Sequence, residues 1–250
     1  MVGCGAVPGG TPATADSTAS SEPAELALAV SPGLRLASME LFQTPATGQG
    51  WRPFLLPGKT FAPFEPGTWH GRKALQVQAR HSVSILRQQF SPALPQTGAL
   101  VFSWKIDALP PGADLQDAAN ADAPVRILLA FDGDRTRWSA RTHRLSELSR
   151  LLTGEELPYA TLSYVWSSND APGTVLINPR TDRIRKLVVE SGSSQLGRWR
   201  DYRRDVRADF IQAFGEEPGP LRAVALMTDT DNTRSSLRAW YGALRLEARP

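Results

Sequence analysis

ALVFSWKID, residues 99–107, alternates residue by residue: Leu100, Phe102, Trp104 and Ile106 share one side, and Ser103, Lys105 and Asp107 the other. A period of two describes a strand with one face in a core and one face outside it. KALQVQA, residues 73–79, does the same, setting Leu75, Val77 and Ala79 against Gln76 and Gln78. Working outward, strand-like segments recur at 34–42, 83–90, 125–131, 160–166, 174–178, 184–190, 221–228 and 237–247. VRILLAF (125–131) and LRAVALM (221–227) are almost continuously apolar, which predicts central strands covered on both sides. Between the segments, 20 glycines and 20 prolines break the chain too often for a long helical bundle. The pattern predicts an all-β chain with two helical insertions, folded as an antiparallel β-sandwich of jelly-roll type over residues 26–250.

Two segments carry a helical period instead. In 141–153, Leu145, Leu148, Leu151 and Leu152 share a helical face, and Gly154 follows as a C-terminal stop. In 199–214, Trp199, Tyr202, Val206, Phe210 and Phe214 form an aromatic stripe, expected as one helix ending at Gly215.

Composition narrows the chemistry. The 250 residues are 41% hydrophobic and 21% charged, ordinary for a globular chain. One cysteine excludes a disulfide framework, and three dispersed histidines (His70, His81, His143) give no local zinc signature. The formal charge is +3, carried by 24 Arg and 4 Lys. Its densest stretch, 180–207, interleaves nine basic residues with Asp182, Glu190, Asp201 and Asp205, which reads as a salt-bridged face and not as a nucleic-acid patch. No Walker loop, G-x-S-x-G elbow, H-E-x-x-H or dinucleotide fingerprint occurs.

The first 25 residues are different in kind. MVGC is followed by GAVPGGTPATADSTASSEPAE, which has no aromatic or basic residue and reads as a disordered linker. Cys4 after a small residue, ahead of such a linker, is the pattern of a lipoprotein signal's end, although no charged or apolar leader precedes it. The expectation is a lipid-modified Cys4 on a chain whose signal is truncated here, exported to the periplasm or outer membrane.

Four polar constellations are candidates for a site. FDGD gives Asp132 and Asp134; NPRTDRIR gives Asn178, Arg180, Asp182, Arg183 and Arg185; VVESG gives Glu190; and MTDTDNT gives Asp229, Asp231 and Asn232. Acids alternating at a strand end suit Ca²⁺, but Asx-rich turns satisfy their own backbone as readily, and D-x-D-N lacks the glycine and distal glutamate of a calcium loop. No cofactor is expected, with Ca²⁺ at Asp229 and Asp231 as the runner-up. The favoured neutraliser of those two acids is an arginine from 180–185. Trp51, Trp69, Trp138 and Trp166 fall near strand ends, where exposed rings stack on sugars; Trp104 and Trp240 alternate toward the core.

RLLTGEELPYATLSYVW (150–166), NPRTDRIRKLVVESG (178–192), LGRWRDYRRDVRADFIQAFGEEPG (196–219), VALMTDTDNT (224–233) and AWYG (239–242), in that order, resemble the bacterial domain of unknown function 3047 family across residues 34–247. The resemblance implies a galactose-binding-like or jelly-roll sandwich, exported or envelope-associated, and brings no catalytic residue. Relatives carry an acid after the Tyr-Gly pair where this chain has Ala243. The combined expectation is a monomeric envelope protein that binds a glycan or another surface polymer, touching membrane only through a lipid anchor. The alternatives are a polysaccharide lyase or hydrolase using Asp132, Asp134, Asp182 or Glu190 beside an arginine, and a scaffold without ligand.

Overall fold

A computed structural model describes residues 33–37 and 50–247. The expected linker 1–25, with Cys4, and the strand residues 38–42 lie outside the described residues. In chain order the elements are β1 (Gly33–Ala37), β2 (Arg52–Pro53), β3 (Phe64–Trp69), β4 (Arg72–Arg80), β5 (Val83–Leu94), β6 (Ala99–Ile106), β7 (Ala123–Phe131), α1 (Ala140–Thr153), β8 (Ala160–Ser167), β9 (Val175–Asn178), β10 (Thr181–Ser191), β11 (Arg200–Asp205), α2 (Val206–Phe214), β12 (Leu221–Asp229) and β13 (Ser236–Glu247).

The strands form two sheets. Sheet A runs β11-β6-β13-β4-β3, with β1 added to β13; sheet B runs β2-β5-β12-β7-β8-β10-β9. The apolar faces meet between the sheets, as the alternation requires: Leu75, Val77, Leu100, Phe102, Trp104 and Ile106 from sheet A lie against Ile127, Leu129, Phe131, Leu162, Tyr164, Trp166 and Leu226 from sheet B. The near-continuous apolar runs are β7 and β12, side by side in sheet B, where each is flanked by strands on both edges. Their outer faces are covered too. Phe54 and Leu56 pack over Ile85, Ala225 and Met227, and Leu115 packs over Val165, Leu176 and Val188.

The structure adds to these expectations or alters them at four places. The sandwich is not wholly antiparallel: β8 and β10 pair in parallel, Ile184 opposite Thr161 through Ser191 opposite Ser167, because the short β9 turns the chain back before β10 begins. The stripe 199–214 is not one helix. Residues 200–205 alternate half-buried and exposed along β6, and only at Asp205, whose carboxylate accepts from Ala208 N, does α2 begin. β3 was not expected, since Pro66 and Gly67 interrupt its pattern. Finally, α1 ends at Gly154 (φ 79°) as expected, but its leucines point away from the core: Thr142 and Ser146 are its buried residues, while Leu148, Leu151 and Leu152 are exposed.

Candidate functional site

The register of sheet A brings a row of small residues together on its outer face. Ser103 on β6, Gly242 on β13, Ala74 on β4 and Gly67 on β3 follow one another across the strands. Two tryptophans fill the space those residues leave. The ring of Trp69 lies on Gly67, so close that a Cβ built there would stand 2.5 Å from it. Trp199, just before β11, lies against Gly242 and donates its indole N–H to the carbonyl of Trp69 at 3.3 Å. Above Trp199, 5.4 Å from its ring centre, passes the Arg72 guanidinium on its way to Asp201 at 2.6 Å.

The neighbouring row is Glu65, Gln76, Trp240 and Lys105. Trp240 is buried beneath Lys105, whose ammonium sits 4.6 Å from the ring centre, with Arg238 at 5.6 Å. Desolvation, with Arg238 adding repulsion, lowers the Lys105 pKa. Three of the seven tryptophans therefore gather on one outer face, two of them half-buried, among Arg72, Asp201, Glu65 and Gln76. Half-exposed flat rings beside hydrogen-bonding groups can stack on the apolar face of a sugar and hold its hydroxyls.

The acids and arginines singled out in the sequence do not gather in one place. Asp132 pairs with Arg222 at 3.1 Å, and Asp134 caps a short 3₁₀ turn through Thr136 N and Oγ1, which hold its carboxyl below the usual range. Asn178 Oδ1 accepts from Arg180 N at 2.9 Å, and Asp182 takes a 3.4 Å bond from Thr142 Oγ1. Arg183 donates to Glu216 at 2.7 Å and lies over the Tyr159 ring; Arg185 donates to the carbonyls of Asp182 and Ala213. All of these stand at the end of sheet B where Phe131, Ala160 and Leu221 line up.

Glu190 and Asp229 lie toward the other end. Glu190 turns to sheet A, accepting from Arg200 Nε at 2.9 Å and Tyr202 OH at 2.7 Å. Trp166 is no platform. It is fully buried, its indole N–H on the carbonyl of Gly192 at 3.0 Å, and Trp138 is buried likewise. Asp182 lines a hollow with Ser139, Arg141 and Thr142, whereas Asp132, Asp134 and Glu190 are each engaged by the partners just named.

One acidic group does form, around a residue the sequence reading missed. Asp122 joins Asp229 and Asp231, each with a carboxylate oxygen within 4.8 Å of the others. Asp122 clasps the turn after β12, accepting from Asn232 N at 3.3 Å, Thr233 N at 2.8 Å and Thr233 Oγ1 at 2.7 Å. The expected link from 180–185 to 229–232 is absent, since those segments sit at opposite ends. Arg126 instead meets Asp229 at 3.3 Å, and Lys59 meets Asp231. Burial pushes Asp229 up to about 7, its neighbours Asp122 and Asp231 adding to the shift and Arg126 opposing it. Asp231 is desolvated too, but Lys59 and the bond from Asp229 hold it low. With a proton on Asp229, two carboxylates face two cations and the group is neutral. A divalent cation would have to displace both the proton and Lys59 to use the same oxygens.

Solved structures to which this chain is similar include a xyloglucanase domain of NopAA, a type three effector from Sinorhizobium fredii, in complex with cellobiose. It is 8% identical over 85% of this chain and all of that one, with a TM-score of 0.42. A non-crystalline cellulose specific carbohydrate-binding module is 13% identical over 85% of this chain and 94% of its own, at 0.37. The family 11 xylanase from Neocallimastix patriciarum is 11% identical over 72% and 81%, at 0.30. Among curated proteins no sequence matches. The family model that does match, over residues 49–245, is that of DUF3047, and the chain belongs to this family of proteins of unknown function.

Proposed function

We propose that the protein is a carbohydrate-binding β-sandwich and that the outer face of sheet A, at Trp69, is where the sugar lies. The observation that carries this reading is the Trp69 ring, half-buried and flat on Gly67, pinned by Trp199 and bordered by Arg72 and Asp201. Such a ring is held in one orientation before any ligand arrives, and the exposed Arg72–Asp201 pair offers donors and acceptors at its edge. Binding without catalysis is favoured by the scatter of the acids described above.

Affinity electrophoresis of the protein through a panel of soluble neutral and acidic polysaccharides tests it. At least one polysaccharide is expected to retard the protein, and Trp69→Ala to weaken that binding at least about tenfold, the worth of one stacked ring. Gly67→Ala, which tilts the ring without removing it, falls between. No retardation across the panel at millimolar sugar would overturn the reading.

An exported, lipid-tethered location through Cys4 belongs to the same proposal. Its support is the Cys-linker pattern of the first 25 residues, and it is checked by whether Cys4→Ser, expressed with the upstream leader, moves the protein from the membrane to the soluble fraction.

A further inference from the structure

The helix α1 wears its amphipathicity reversed. Its inner side is held by hydroxyls: Thr142 Oγ1 to Thr181 Oγ1 at 3.1 Å, Ser146 Oγ accepting from Leu157 N at 3.2 Å, and Ser149 Oγ donating to the Glu155 carbonyl at 2.9 Å. Its outer side carries Leu148 (50% exposed), Leu151 (78%) and Leu152 (58%), spaced so that all three share one stripe with half-buried Leu145. Leucine stays this exposed only at a thermodynamic cost, which a burying partner would remove.

Every other exposed large hydrophobic residue among those described lies at an end of this helix. Ile177 (53%) lines the same hollow as Ser139, Arg141 and Thr142 at its N-terminus. Leu55 (63%) follows Phe54, on which Arg87 rests as it clasps Glu155, two residues beyond the C-terminus. The strip so formed is basic. Arg141 and Arg144 are exposed within the leucine stripe and Arg180 beside its N-terminal end, against Glu147 at the edge and Asp182, and none of these three arginines makes an ion pair among the described residues. Glu155 and Glu156 are already taken by Arg87 and Arg135.

We propose that this strip is a peripheral docking surface for an anionic lipid bilayer, the leucines entering the headgroup boundary and the arginines meeting lipid phosphates. Leucines interleaved with Arg141 and Arg144 on one helical face match such an interface in both polarity and charge. A second copy of the chain matches it less well, because a two-fold contact between leucine stripes would bring the arginines of one helix against those of the other. No helix among the described residues is long and apolar enough to cross a membrane, so the contact is one of lying on the surface. The inference does not depend on sugar binding, which was assigned to the other sheet.

The test uses the whole chain carrying Cys4→Ser, so that no acyl chain contributes, sedimented with vesicles of phosphatidylcholine alone or with about one-third phosphatidylglycerol. Binding is expected only to the anionic vesicles, and weaker in high salt. The combined variant L148S/L151S/L152S should lose about tenfold or more in partitioning, and R141E/R144E should lose the dependence on anionic lipid. These positions are exposed, and an unchanged melting curve checks that each variant is folded. Failure of the unsubstituted chain to bind anionic vesicles, or unchanged binding of the leucine variant, overturns the proposal. So does a concentration-dependent dimer that the leucine substitutions abolish.

Discussion

At the Phe131 end of sheet B one carboxylate serves three donors; toward the opposite end three carboxylates share two cations. Glu216 accepts from Arg183 at 2.7 Å, from Arg137 at 2.6 Å and from Tyr159 OH at 2.9 Å. Burial alone would raise its pKa, but those donors outweigh it and hold it low. The group at Asp122, Asp229 and Asp231 has an excess of acid, and Asp229, buried and facing both other acids, holds its proton up to about pH 7 instead. Similar residue types thus have their pKa values moved in opposite directions, decided by the balance of donors and like charges around each buried carboxyl.

The comparison breaks most easily at Glu216. Glu216→Gln leaves Arg183, only 11% exposed at its side chain, without a counter-charge, and should cost about 2–3 kcal/mol in urea unfolding at pH 7. Because the folded pKa is depressed, Glu216 contributes above the unfolded value of about 4.5, and the contribution fades as pH falls through the folded one. The wild-type and variant curves should therefore converge in acid.

Asp229 should respond with the opposite sign. Between about pH 4 and 7 the unfolded chain releases a proton that the folded chain keeps, so stability falls over that window and stays lower above it. Asn imitates the protonated acid without that loss. Asp229→Asn is expected to stabilise by about 1–2 kcal/mol at pH 8 and to be nearly neutral at pH 4. Destabilisation at pH 8 would mean that an ionised Asp229 is required by Arg126.

The smallest effect sharpens the same contrast. If the proton, Arg126 and Lys59 neutralise the acids, millimolar Ca²⁺ or a chelator should move the melting temperature by less than about 1 °C. A shift of several degrees would show that a cation replaces the proton.

Strands with strict alternation, 73–79 and 99–107 above all, could be read directly, because period two has no competing explanation there. Trp199, Tyr202 and Val206 could not be read so surely: spacings of three and four mimic a helix even though the first two belong to an extended segment. The leucines of α1 were grouped correctly, but their outward direction was not legible, since periodicity says which residues share a face and not where that face points. The tryptophan face was hidden for a related reason. Trp69, Trp199 and Trp240 come from three distant segments, and only the register across β6, β13, β4 and β3 brings them together. Asp122 gave no signal at all, being a lone acid in a loop until the turn after β12 arrives to meet it.

The glycines beneath the indoles have a consequence in conformational entropy. A tryptophan on a flexible loop has to be frozen when a ligand stacks on it, and that ordering subtracts from the affinity. Trp69 has no such freedom: its ring rests on backbone at Gly67, not on a side chain that could move aside, and the Trp199 N–H holds the Trp69 carbonyl. The entropy of placing that ring was lost when the sheet formed.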